Sequence, residues 1–177
     1  MKKNKKNLLV ERENPVLRKK AINVEVEDIL SSKISKIISK MKEALGAEAD
    51  GVAIAAPQVG EGFRIFAVKG SIIPNNELDV ETNDVIFINP KLTKFSQKKS
   101  KMEEGCLSLR YLYGEVLRHD KVTIEAYNEK GDYIEAHASG LLAQIFQHEL
   151  DHLDGVLFID KAENIRNIPP EATHNDA

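Results

Sequence analysis

The chain lacks most of the features that mark exported, membrane-bound or nucleic-acid-binding proteins. Its only cysteine is Cys106, which excludes an internal disulfide framework and suits a reducing compartment. No apolar run approaches the ~18 residues that a membrane span requires, and no secretory hydrophobic region is present. A net charge of −3 gives no general case for binding nucleic acid. We therefore expect a cytoplasmic protein that has neither a membrane nor a specific nucleic acid as its partner.

The composition is that of one compact domain. Hydrophobic residues make up 42% of the 177 positions and charged residues 30%, and no repeat or linker divides the chain. We predict a single domain over residues 1–164, followed by a short polar tail over residues 165–177. The lysine-rich residues 1–7 are expected to form a flexible, solubilising terminus.

Hydrophobic spacing predicts an α+β fold. A helical period runs from Ile29 to Leu45 and stops at Gly46, which predicts an N-terminal amphipathic helix. Short β-rich segments follow, two of them flanking a hairpin signal at residues 128–131. The predicted strands are residues 64–68, 85–89, 121–127 and 132–138. Runs of strands between two helices favour antiparallel or mixed sheets over alternating βαβ units.

The most informative segment is His148-Glu149-Leu150-Asp151-His152. In a helix, residues four positions apart lie on one face, so His148 and His152 can hold a single divalent metal ion. Glu149 lies beside them, where its carboxylate can act as a general base toward a water molecule on the metal. We predict that the sheets pack around this central metal-binding helix.

The flanking residues also favour a helix at this position. Ser139 is placed to cap its start, and Gly155 is placed to end it in a left-handed conformation. Four polar residues fall mostly outside the stripe that carries the two histidines: Gln144, Gln147, Asp151 and Asp154. We expect these side chains to be solvated rather than to bind the metal.

A hydrolytic centre built on two histidines needs a third protein ligand, because such centres use three ligands and leave one position for water. Downstream of His152, the candidates lie mostly in the polar tail. Cys106 is the other candidate, since a thiolate is a strong donor and Gly105 would allow close approach. A lone cysteine is more often a small buried hydrophobic residue, so spacing alone leaves the third ligand open.

A third segment, residues 51–58, reads GVAIAAPQ and ends in the amide of Gln58. On its own it could be a tightly packed strand and turn. Together with EGCLS at residues 104–108 and QHELDH at residues 147–152, it resembles the three signature segments of the peptide deformylases, in the family's order. The resemblance extends from Asn14 to about Asp160, most of the chain.

The resemblance implies a catalytic domain that removes the N-formyl group from formylmethionine at the start of nascent polypeptides and releases formate. The implied metal ligands are Cys106, His148 and His152. Glu149 would move protons, while the amide of Gln58 and the backbone N–H of Leu107 would stabilise the oxyanion. In this family the metal is generally Fe²⁺, and Zn²⁺, Ni²⁺ or Co²⁺ can occupy the same site.

Small and apolar residues are expected to form the substrate pocket: Gly51, Val52, Ala53, Met102, Gly105, Leu141 and Ile145. A ligating imidazole usually donates its other N–H to a carboxylate, and Glu104 is placed to accept it while paired with Arg118. Four residues depart from the family pattern. Ala53 replaces a glycine and Ile54 replaces a leucine. Arg110 stands where a proline is common, and Tyr113 stands where many members carry a basic residue. We expect activity to survive and specificity or rate to differ.

Three alternatives remain. A metallopeptidase with the same helical motif would cleave internal peptide bonds in a longer cleft. A structural-metal or binding protein would keep the ligands but has no need for both Glu149 and Gln58. A deformylase-like enzyme could act on a different N-formyl substrate. The resemblance also implies transient proximity to the ribosome, although the tail lacks the long basic helix by which some members dock.

Overall fold

The computed structural model describes residues 8–74 and 84–169. The strands are β1 Ala53–Ala55, β2 Ile65–Val68, β3 Val85–Phe95, β4 Lys99–Gly105, β5 Leu112–His119, β6 Lys121–Tyr127, β7 Tyr133–Ser139 and β8 Glu163–Asn167. The helices are α1 Ser32–Ala47 and α2 Gly140–Leu153. The predicted flexible residues 1–7, and residues 170–177 of the predicted tail, lie outside the described residues.

Two antiparallel sheets confirm the predicted α+β class. The larger sheet has the strand order β1-β2-β3-β6-β7 and the smaller one β4-β5-β8. The four predicted strands correspond to β2, β3, β6 and β7, and the predicted hairpin turn joins β6 to β7. In that turn, Asn128 Oδ1 accepts hydrogen bonds from the N–H groups of Lys130 and Asp132, and Gly131 has φ +83°. The asparagine thus supplies the side-chain to backbone hydrogen bonds of the turn, and the glycine supplies its positive φ, as these residues commonly do in hairpin turns.

The smaller sheet was not predicted, and it corrects the boundary of the polar tail. Residues 165–167, assigned to the tail, belong to β8, where Asn167 pairs with Leu112 and Arg166 with Tyr113. Every residue of β8 is exposed. The position of β8 is therefore set by its backbone pairing with β5. Its sequence has no alternation of buried apolar and exposed polar side chains from which the strand could be predicted.

Helix α1 packs on one face of the larger sheet. Its buried residues are Ile34, Ile37, Ile38, Met41, Ala44 and Leu45. Ser31 caps the helix by accepting a hydrogen bond from the N–H of Ile34. The helix begins later than the periodicity at Ile29 indicates, because Ile29 closes the short 3-10 helix Val26–Asp28 and Leu30 is exposed.

Helix α2 packs on the opposite face of the same sheet. Phe66 and Phe87 stack with ring centroids 4.7 Å apart, and Phe146 of α2 meets the Phe87 ring edge-on at 5.1 Å. Because side chains alternate along a strand, Ile65 and Ile86 point toward α1 instead. Fully burying each of these side chains contributes about 2 kcal/mol or more. The buried face of α2 is thus packed on the sheet.

The end of α2 is anchored to the N-terminal segment. Gly155 has φ +75°, as predicted, and an added Cβ would lie 2.8 Å from the backbone of Arg18. The N–H of Ala21 donates to the carbonyl of Leu153 at 2.8 Å. At the other end of α2, Ser139 occupies the cap position, but its side chain makes no capping hydrogen bond. No helix in the described part of the chain is long and apolar enough to span a membrane.

Candidate metal centre

Three potential ligands meet where α2 faces the end of β4. Within α2, His148 and His152 lie one turn apart, and Cys106 follows β4 directly. One donor atom from each residue lies within 4.8 Å of the others. The Cys106 Sγ and His152 Nε2 atoms are 3.2 Å apart. The two sheets and α2 therefore bring together residues that are more than forty positions apart in the sequence.

The electrostatics of the cluster favour a thiolate. Burial raises the pKa of Cys106, but the neighbouring His152 and His148 outweigh it and hold this pKa well below the ordinary value. A thiolate with two imidazoles is a donor set that suits divalent transition metals. These three residues therefore fit one such cation.

A buried ionic network supports His148. Glu104 Oε2 lies 2.8 Å from His148 Nδ1, and the same carboxylate receives two hydrogen bonds from Arg118, at 2.7 and 2.9 Å. Burial raises the pKa of Glu104, but the hydrogen bonds from His148 and Arg118 prevail and lower it to about 2. Glu104 is thus a carboxylate acceptor and His148 Nδ1 the donor, which leaves Nε2 free for a metal.

The network continues through residues that were expected to be solvated. Arg118 Nη1 donates to Asp151 Oδ2 at 2.7 Å, and Lys161 donates to Asp151 Oδ1 at 2.6 Å. Gln147 is 7% exposed, and its amide hydrogen-bonds to both the N–H and the carbonyl of His119. Both expectations were wrong, because β5 supplies polar groups that these two side chains satisfy.

Glu149 is placed beside the cluster without being one of its three donors. It is 4% exposed, and its Oε2 atom has no hydrogen-bond partner among the described residues. Burial raises the pKa of Glu149 to about 7, against the opposing influence of His148 and His152. A carboxyl group of that pKa can both accept and release a proton near neutrality.

Gln58 is held in one orientation. The N–H of Ala55 donates to Gln58 Oε1 at 2.8 Å, which turns the Nε2 group toward Cys106 and Ser108. The distances from Nε2 are 3.5 Å to Cys106 Sγ and 3.1 Å to Ser108 Oγ. An amide donor fixed by its own oxygen in this way is preorganised.

A cleft of about 360 Å³ opens over the cluster. Glu149, Gln58 and Leu107 lie on its wall, together with six of the predicted substrate residues: Gly51, Val52, Ala53, Gly105, Leu141 and Ile145. Met102 is not on the wall, which corrects that prediction. It lies two residues before Glu104 in β4, about 7 Å farther along the strand.

Ser108 and Tyr111 are among the residues near the site that were not predicted. Ser108 is buried and accepts the hydrogen bond from Gln58, and Tyr111 lies on the cleft wall with φ +69°. A buried serine beside Cys106 gives no periodic signal. The positive φ of a tyrosine is likewise invisible before the fold is known.

Comparisons with known proteins agree with the motifs. Residues 7–167 match the family described as polypeptide deformylase. The peptide deformylase of Treponema pallidum is 40% identical over 142 residues, which cover 80% of this chain and 78% of that protein. The peptide deformylase of Natranaerobius thermophilus is 37% identical over 155 residues, which cover 86% of this chain and 90% of that protein. Among solved structures, the peptide deformylase from Thermotoga maritima has a TM-score of 0.74 at 33% identity, covering 88% of this chain and 96% of that chain. A Synechococcus elongatus peptide deformylase in complex with actinonin has a TM-score of 0.73 at 34% identity, and the match covers 88% of this chain and 78% of that chain.

Proposed function

Because this chain belongs to the peptide deformylase family, and is a hydrolase that removes the N-formyl group from nascent peptides, we propose that Cys106, His148 and His152 form its catalytic metal centre. One observation carries this proposal. Three donor atoms lie within 4.8 Å of one another, and two of these residues, Cys106 and His148, line a single cleft together with the buried Glu149. The metallopeptidase alternative gains no specific support from this arrangement.

The proposed cofactor is one divalent cation, Fe²⁺ in the cell, with Zn²⁺, Ni²⁺ or Co²⁺ able to take its place. Such a cation supplies Lewis acidity, which polarises the formyl carbonyl and makes a water molecule more acidic. Glu104 and Arg118 keep the ring of His148 oriented for this task through the bond to Nδ1.

Proton transfer is assigned to Glu149. Its Oε2 atom, which has no hydrogen-bond partner in the described part of the chain, accepts a proton from the water that attacks the formyl carbon. The same carboxyl group then donates that proton to the leaving nitrogen as the C–N bond breaks. Formate and a free α-amino terminus result, so one carboxylate serves first as base and then as acid.

Oxyanion stabilisation is assigned to Gln58 and Leu107. As the water attacks, negative charge develops on the formyl oxygen. The proposed donors to that oxygen are the backbone N–H of Leu107 and the Gln58 Nε2 group, which is oriented because Gln58 Oε1 accepts a hydrogen bond from the N–H of Ala55.

The formylmethionine side chain is proposed to bind in the apolar part of the cleft. Val52, Leu141 and Ile145 supply apolar surface there, and Gly51, Ala53 and Gly105 line the path of the substrate backbone. A side chain at Gly105 would meet the ring of Tyr113 at 2.8 Å, so glycine is required for this ring to lie close to β4.

We place this reaction in the cytoplasm, in transient proximity to the ribosome, where nascent polypeptides are made. A thiolate ligand such as Cys106 is best protected in a reducing compartment. We also propose a single catalytic unit that extends to Asn167, because β8 completes the smaller sheet.

The test is formate release by protein purified anaerobically with its metal content measured. We expect release from a formylmethionyl peptide and no reaction with its acetylated counterpart or at internal peptide bonds. Cleavage of internal bonds would favour a metallopeptidase. Bound metal without any turnover would favour a structural or binding site.

Glu104→Gln is expected to weaken metal retention about tenfold or more. The neutral amide is a poorer acceptor for His148 Nδ1, and it leaves Arg118 with one carboxylate partner instead of two. Competition with a chelator measures the effect. Glu115→Gln in the neighbouring strand is the control, because Glu115 contacts Asn164 rather than the cluster. Unchanged metal affinity in Glu104→Gln would remove Glu104 from the proposed support of the metal.

Gln58→Ala is expected to lower kcat by about 10²- to 10³-fold with metal retained, because a donor to the developing oxyanion is lost. The variant also leaves the N–H of Ala55 without its acceptor, which costs about 1–3 kcal/mol of unfolding free energy. Steady-state kinetics and thermal melting separate the two effects. A lower melting temperature with normal kcat would reduce Gln58 to a structural residue.

A further inference from the structure

Two of the walls of the cleft belong to different parts of the chain, and α2, β4 and β5 supply further lining. One of the two is the turn at residues 48–51, between α1 and β1, which contributes Asp50 and Gly51. The other is the start of the short 3-10 helix Leu107–Leu109, which contributes Leu107, with Arg110 after the helix. The walls touch at Gly51. A Cβ at this position would lie 3.2 Å from Leu107 Cδ1 and 3.2 Å from Leu45 Cδ1. The distance between the walls therefore depends on how the turn is held.

Arg110 reaches from one wall to the other. Its Nη1 group donates to Asp50 Oδ2 at 2.8 Å, and its Nη2 group donates to Glu48 Oε2. The backbone of the turn is also held at Glu48. Its carbonyl accepts one hydrogen bond from the N–H of Gly51, at 3.3 Å, and another from the side-chain Nζ of Lys69, at 3.0 Å. The guanidinium thus holds both acidic side chains of one short turn.

The opposite wall is fixed independently of Arg110. Cys106 lies in the metal cluster, and Ser108 accepts a hydrogen bond from the buried Gln58. If the Arg110 pairs are broken, the turn at residues 48–51 is consequently the part that gains freedom. That turn carries Asp50 and Gly51 of the cleft wall.

We propose that Arg110 is a positioning residue, which clamps the 48–51 turn against the Leu107–Leu109 helix and so sets the width of the substrate cleft. This inference rests on the proposed function, since it concerns the binding of the formylated substrate. A guanidinium suits the role because its planar fork can hold two carboxylates at once, whereas a lysine ammonium acts as a single point charge. Arg110 touches none of the metal ligands, Glu149 or Gln58 in the contacts described, so its effect falls on binding.

The test uses an amidated, uncharged formylmethionyl tripeptide. Arg110→Ala is expected to raise KM about three- to tenfold, as suits partly exposed ion pairs, and to leave kcat nearly unchanged. A double variant, Glu48→Gln with Asp50→Asn, removes the two partners of Arg110 and should raise KM by the same factor. Adding Arg110→Ala to that double variant should raise KM no further, because the interaction is already lost. If Arg110→Ala does not fold, the variant with Glu48→Gln and Asp50→Asn still tests the proposal.

Lys42→Ala is the matched control. The Lys42 side chain is 34% exposed, as is that of Arg110, and it pairs with Glu129 rather than with a residue of the cleft. We expect normal KM and kcat in this control. Arg110→Lys should give a KM between those of the wild type and Arg110→Ala, and high salt should raise the wild-type KM toward the Arg110→Ala value.

A second readout does not need catalysis. Hydrogen exchange at the Gly51 amide should be faster in Arg110→Ala than in the wild type and unchanged in Lys42→Ala. An unchanged KM together with unchanged exchange in Arg110→Ala would overturn the clamp. So would a KM effect seen only with a peptide that has a free C-terminal carboxylate, because Arg110 would then bind substrate directly. Absence of formate release by the wild type would instead count against the proposed function, and the exchange experiment would still decide on the clamp.

Discussion

Glu149→Gln is expected to reduce turnover at least ~100-fold while the metal and the fold are retained. Glutamine has nearly the same shape but cannot accept a proton from water or return it to the leaving nitrogen. Because Glu149 is not one of the three clustered donors, metal content should equal that of the wild type. Its Oε2 atom has no partner among the described residues, so few existing contacts are lost.

The measurements are kcat with a formylmethionyl peptide, metal content and melting temperature. Asp154→Asn is a suitable control, because Asp154 is an exposed carboxylate just beyond α2 that pairs with Arg64. It should behave as the wild type does in all three measurements. Near-normal turnover in Glu149→Gln would eliminate Glu149 as the proton carrier and the mechanism with it.

Cys106→Ala, His148→Ala and His152→Ala are each expected to lose bound metal and activity together. A centre with three protein ligands cannot spare a donor without a large loss of affinity. Thermal stability should fall as well, because a ligand that binds only the folded state stabilises it. At free metal ~1,000 times the dissociation constant this amounts to about 4 kcal/mol, or roughly 10 °C in Tm for a chain of this size.

Metal analysis, kinetics and melting with and without a chelator provide the test. His137→Ala is the matched histidine control, since His137 lies on the exposed side of β7, where it contacts Thr123 and Glu135. The chelator should lower the melting temperature of the wild type and of His137→Ala but not of the three ligand variants. Full metal occupancy in Cys106→Ala would refute the three-ligand assignment.

The helical part of the centre was accessible from the sequence, because its geometry is local. A spacing of four residues on a helix fixes how His148 and His152 face each other before any tertiary contact is known. Cys106 is different. It lies more than forty residues upstream of both, and only the resemblance of three segments to one family identified it as a ligand.

The smaller sheet was missed for a physical reason. In β4, the residues Lys99–Gly105 include only one large apolar side chain, Met102, and the buried Glu104 is a residue that strands seldom bury. Its burial becomes favourable only when Arg118 and His148 surround it, and Arg118 is in turn held by Asp151. Such mutual compensation between distant charges has no signature along the sequence.

The contact between Gly155 and the backbone of Arg18 has a consequence for the order in which the protein assembles. Arg18 also pairs with Asp160, a residue 142 positions later, and Ala21 is held by the end of α2. During synthesis, Arg18 and Ala21 cannot make these contacts until residues 153–160 have been made. Until then, Ala21, which is buried in the finished fold among residues that include Leu153, lacks the part of its cover that α2 provides. Interrupted translation would therefore leave fragments in which the apolar surface around Ala21 is open to aggregation.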